Sequence, residues 1–126
     1  VKLIDVFPDT MRGGNRPGQD PLGGYEMMVR GDVLRGKFRN SISAPEPFRP
    51  DVPTPIAFTL NDAFHTFRRG HRIMVQIQSS WFPMVDRNPG TFMDIFAATA
   101  ADFHATTQRV YRSPMYVSAL TVKRLR

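Results

Sequence analysis

Residues 72–80, RIMVQIQSS, carry the decisive pattern. Ile73, Val75 and Ile77 fall on one side, and Arg72, Met74, Gln76 and Gln78 on the other. Such alternation marks a β-strand, because successive side chains leave a pleated backbone on opposite faces. The preceding Arg68-Arg69-Gly70-His71 reads as a turn that delivers the strand, and Ser79-Ser80-Trp81-Phe82-Pro83 as its exit. Ile73, Val75 and Ile77 are expected to bury against an opposing sheet, each gaining roughly 1.5–3 kcal/mol. On that expectation Ile77→Asp unfolds the domain, since a buried unpaired charge cannot be solvated.

Strand-like segments recur on both sides of this one. VKLIDVF (1–7), YEMMVRGDVLRGKF (25–38), IAFTL (56–60), HATTQRVYRS (104–113) and YVSALTVKRL (116–125) are the further candidates. In 25–38, Gly31 and Gly36 weaken a helix and suit a bulged strand. The connections are long: 8–24 is a turn-rich loop, and 40–55 holds five prolines and should run extended. Asn88-Pro89-Gly90 and Ser113-Pro114 mark tighter turns. About six strands, such connections and the lack of an amphipathic helix point to an all-β fold, an antiparallel sandwich of Greek-key or jelly-roll type.

The length of 126 residues suits one domain, and 41% hydrophobic content permits a core without making it generous. Seventeen Lys and Arg against 11 Asp and Glu give +6, which opens nucleic acid or an anionic membrane as partners. The charges are dispersed, however, and only Arg68-Arg69 and Lys123-Arg124 are adjacent. The balance therefore reads as the basic part of a longer protein, with neither nucleic acid nor membrane expected as a partner. The lack of cysteine excludes disulfides, thiolate metal sites and a cysteine nucleophile. No apolar run approaches the ~20 residues of a membrane span. Val1 opens a strand-like segment without a signal peptide, so the chain reads as a portion of something longer.

The chemistry-bearing residues form few patterns. His65, His71 and His104 are the natural metal or base candidates, but the His65–His71 spacing matches no compact zinc pattern, and Asp62 is the only acid close to either in sequence. They read as turn and strand-end histidines that donate to backbone carbonyls. No serine lies in a G-x-S-x-G elbow, and no phosphate or dinucleotide loop appears. Neither a catalytic residue nor a cofactor or metal is assigned. Arg12, Arg16, Arg30, Arg35, Lys37 and Arg39 with Tyr25 and Phe38 could form a basic aromatic surface. They read instead as a solvated face with salt bridges to Asp5, Asp32 and Glu46.

Trp81, Phe82 and Phe92 around Asp86-Arg87-Asn88 form the most binding-like cluster, since aromatics beside polar groups at a strand exit can line a cleft. Capping of the open end of the sandwich explains them equally well.

Several segments together resemble one family. VKLIDVFPD, YEMMVRGDVLRGKFRNS, EPFRPDVPTPIAFTL, HTFRRGHRIMVQIQSSWFPMVDRNP and ATTQRVYRS look like the C-terminal β-sandwich of X-Pro dipeptidyl-peptidase and cocaine-esterase-type serine hydrolases. Within that group they are most similar to α-amino-acid ester hydrolases, the glutaryl-acylase-like branch. The resemblance covers residues 1–125, and its most specific motif is G-H-R-I-x-V-x-I-x-S-S-x-x-P at 70–83. It implies a galactose-binding-like jelly roll spanning 1–126 that packs on a preceding α/β-hydrolase domain, which would hold the Ser-Asp-His triad. It implies further that Trp81, Phe82, Asp86 and Asn88 line the substrate cleft or the domain interface. Family members carry sandwich strands upstream of the segment matching Val1, so exposed edges and a homo-oligomer are expected. A carbohydrate-binding jelly-roll module is the alternative.

Overall fold

A computed structural model of the chain describes residues 1–12 and 22–124. Gly13-Gly14 and Arg16, assigned above to a loop and a basic face, lie outside the described residues. Two compact units are present. The first comprises Val1–Glu46 and Ile56–Gln78, the second Pro47–Pro55 and Ser79–Arg126.

The first unit is built on a three-stranded antiparallel sheet of β1 (Lys2–Val6), β2 (Glu26–Gly31) and β3 (Arg72–Gln76), in the order β2-β1-β3. LIDV takes the central place because its density of apolar residues suits a strand covered on both faces. Ile4 and Val6 are buried on one face and Asp5 on the other, with Asp5 only 1% exposed. Across β1, Ile4 stands opposite Met28 and Met74, and Asp5 opposite Met27 and Ile73. The register with β2 shifts between Leu3 and Ile4, where Val29 is the extra residue. The bulged strand expected in 25–38 is therefore present, although the bulge sits at Val29 and not at a glycine. Beyond it the chain forms a 3-10 turn, Gly36–Phe38, steadied by Arg39, which bonds the Gly36 carbonyl and pairs with Glu46 at 3.3 Å.

Of the strand expected over 72–80, residues 72–76 form, and the turn before it forms at Gly70, whose φ of 88° suits glycine. The burial of this strand's apolar face must be corrected. Ile73, Val75 and Ile77 are 61%, 42% and 51% exposed. On their face Asp5 is held by the two histidines of the 65–71 segment. Three further segments, 56–60, 104–113 and 116–124, carry no strand ladder among the described residues. A pleated strand needs a paired neighbour, and a lone pair of strands is marginal. Ser113 and Tyr116 do exchange both backbone bonds at 3.1 Å around Pro114-Met115, and Ser118 Oγ donates to the Tyr111 carbonyl. That is a tight turn without an extended ladder. The described residues thus form β-structure without an α-helix.

The second unit is held by turns. Asp94 caps Ile95–Ala97 by accepting from Phe96 N–H. Thr99 and Asp102 form a reciprocal capping box around Ala100–Asp102.

Candidate functional sites

Two constellations stand out, one in each unit. In the first unit the Asp5 carboxylate accepts from His65 Nε2 and from His71 Nδ1, both at 2.8 Å. Burial pushes the Asp5 pKa upward, but the two imidazole hydrogen bonds and their charge outweigh it, and the carboxyl sits below its ordinary value. An ionised carboxylate only accepts, so His65 carries its proton on Nε2 and His71 on Nδ1. Ring packing fixes both imidazoles: His65 meets Phe67 edge-on at 4.8 Å, and His71 lies 4.7 Å from Phe7. The histidines bind a side chain and not backbone carbonyls, and Asp5 pairs with them and not with an arginine, which corrects both expectations above.

A carboxylate orienting an imidazole is two-thirds of a hydrolytic triad. Here, however, one carboxylate is shared by two imidazoles. His65 Nδ1 and His71 Nε2 have no hydrogen-bond partner among the described residues, and no serine touches either ring. The arrangement fastens both ends of the 65–71 segment to β1 and works as a structural tie. Among the described residues no group of three His, Asp or Glu is arranged to hold a metal ion.

In the second unit the Asn88-Pro89-Gly90 turn forms as expected. Gly90 has φ 82°, and its N–H donates to Asn88 Oδ1 at 3.2 Å. A Cβ at Gly90 would lie 2.7 Å from Thr106 Cγ2 and 3.0 Å from the His104 carbonyl oxygen, so glycine alone permits this approach. His104 N–H donates to the Pro89 carbonyl at 2.9 Å and closes the junction. Two shallow clefts result. One, of about 270 Å³, is lined by Ser79, Ser80, Arg87, Asn88, Phe103, His104, Thr106 and Gln108. The other, of about 260 Å³, is lined by Phe82, Asp86, Arg87, Ile95, Phe96 and Phe103.

Of the residues singled out in sequence, Phe82 and Asp86 line the apolar cleft and Asn88 the polar one. Trp81 is half-buried and lines neither; its carbonyl accepts from Val85 N–H in the turn after β3. Phe92, 51% exposed, also lines neither cleft. Arg87 and Phe103 line both clefts and were not selected from sequence. Arg87 lies inside the quoted cluster, but its role depends on Phe103, which sits 16 positions away and is delivered by the Thr99–Asp102 box.

Comparison with known proteins places these features. The profile of the X-Pro dipeptidyl-peptidase C-terminal non-catalytic domain matches residues 1–121. The chain is 27% identical over 122 residues to cocaine esterase from Rhodococcus sp. (strain MB1 Bresler), covering 97% of this chain and 19% of that protein. It is also similar to the crystal structure of an aminopeptidase from the marine sediment archaeon Thaumarchaeota archaeon, with a TM-score of 0.69 and 43% identity. That match covers 81% of this chain and 16% of the other. The chain therefore spans less than a fifth of either relative. These likenesses do not favour a carbohydrate-binding module.

Proposed function

Because this chain belongs to the family of X-Pro dipeptidyl-peptidase C-terminal non-catalytic domains, we propose that it is the non-catalytic β-sandwich end of a longer serine hydrolase. In that reading it completes a jelly roll, packs on an α/β-hydrolase domain and helps wall the cleft where an ester or amide bond is cleaved. Trp81, Phe82, Asp86 and Asn88 face that cleft or the domain junction. The observation that carries the reading is the uncovered apolar face of β3. Three aliphatic side chains at 61%, 42% and 51% exposure form a surface that gains by being covered. The small share of each relative that the chain spans supports a covering domain in the same polypeptide.

The test compares the isolated chain with the longer protein on an activated acyl ester. The isolated chain should show no turnover, whereas the longer protein should show it. In the longer protein Trp81→Ala should raise KM by roughly three- to tenfold and leave kcat unchanged, as expected for loss of uniform binding. Turnover by the isolated chain would overturn the reading, and unchanged KM would remove Trp81 from the cleft.

The outer edges of β2 and β3 have no strand partner among the described residues, which supports self-association of the isolated chain. A monomer by light scattering would remove that part.

A further inference from the structure

The second unit holds one cation in an unusual setting. The Arg87 guanidinium carbon lies 4.9 Å from the Phe103 ring centroid and 5.7 Å from that of Phe82. Two rings restrict a side chain that otherwise samples many rotamers, so less freedom remains to be lost when a partner arrives. No acidic side chain pairs with Arg87 among the described residues, and none of its N–H groups has a hydrogen-bond partner there. It lines both clefts, with polar Ser79, Asn88 and His104 on one side. On the other side stand Asp86 and the aromatics Phe82 and Phe96, the last two 65% and 92% exposed. A preorganised guanidinium ringed by exposed aromatics matches the anatomy of an interface anchor, in which apolar neighbours exclude water from a central charged contact.

We propose that Arg87 receives one carboxylate side chain, Asp or Glu, from the catalytic domain of the longer hydrolase; the inference rests on the packing reading above. Charge selects the chemistry, because a permanently charged, unpaired planar fork donates bidentately to a carboxylate. Size fits as well, since clefts of about 270 and 260 Å³ admit a side chain. The chain's net charge of +6 calls for an acidic covering surface. Phe82 and Phe103 act as positioning residues that hold the guanidinium.

The experiment uses the longer protein and reads the rate at which limited proteolysis releases this domain, with near-ultraviolet circular dichroism as a check on folding. Arg87→Ala should speed release by about tenfold or more, the loss expected of an interface anchor. Arg87→Lys should speed it several-fold, because lysine keeps the charge but loses the fork. Ile77→Arg, at the exposed aliphatic just past β3, serves as the separate probe of packing. If Ile77→Arg speeds release while both Arg87 variants match the wild type, the carboxylate receptor is lost and the packing reading stands. If none of the three variants changes the rate, the packing reading falls as well. A lysine variant as tight as wild type, or a changed KM for acidic substrates with unchanged release, would also overturn the proposal.

Discussion

β1 and β3 are neighbours in one sheet and differ in the opposite way to their sequences. β1 carries a carboxylate at Asp5, yet Ile4, Asp5 and Val6 are all buried. β3 has the cleaner alternation, yet Ile73 and Val75 stay open to solvent. Position in the sheet explains the difference. A central strand is flanked on both sides, and its Asp5 is acceptable because two imidazoles solvate it. An edge strand is covered only where another segment reaches it. Alternation thus identifies a strand and its two faces, but not which face acquires a neighbour.

The sharpest way to break this comparison is to remove the acceptor at the centre. Asp5→Ala strands two imidazole N–H groups beneath the 65–71 segment and should cost about 3 kcal/mol, read from urea unfolding of the isolated chain. A loss below about 1 kcal/mol would show that the tie is decorative.

Truncating the apolar residues on each strand comes next. Ile4→Ala should cost roughly 2–4 kcal/mol, as buried aliphatics do, while Ile73→Ala should stay within about 0.5 kcal/mol. Ile77→Asp should fold cooperatively in the isolated chain, contrary to the expectation from sequence, because its side chain already meets water. Equal losses at Ile4 and Ile73 would mean that β3 is covered after all.

The smallest effect is one of pH. The folded Asp5 carboxyl titrates below its unfolded value, so the unfolded chain binds the proton more readily. The stability this contributes is complete above the unfolded carboxylate value of about 3.9 and is lost as pH falls through the folded one. The stability gap between wild type and Asp5→Asn should therefore narrow on acidification below about pH 5. A gap that widened would reverse the sign assigned to Asp5.

Much of the local structure was legible in the sequence. Gly70, Gly90 and the Ser113-Pro114 pair announced their turns, and the 70–83 motif pointed to the family. The Asp5 tie was not legible, because its partners lie 60 and 66 positions away and the only nearby acid, Asp62, drew attention instead. A signal was nevertheless present: an acid in the middle of LIDVF must be exposed or partnered, and an apolar strand makes exposure costly. The clefts were half legible. Phe82, Asp86 and Asn88 lie close together in one short stretch of sequence, whereas Phe103 and His104 join them only through the close approach at Gly90.

The single-residue irregularity at Val29 has an electrostatic consequence. With uninterrupted pairing from Val6 and Glu26 onward, Arg30 would sit directly across from Lys2, setting two cations side by side. The inserted valine advances the register by one, so that Lys2 faces Gly31 and Arg30 faces Leu3. Lys2 Nζ donates to Gln78 Oε1, just past the far strand. Were Val29 instead drawn into the ladder opposite Leu3, the change would be felt first as repulsion between Lys2 and Arg30, and only afterwards as a loss of packing.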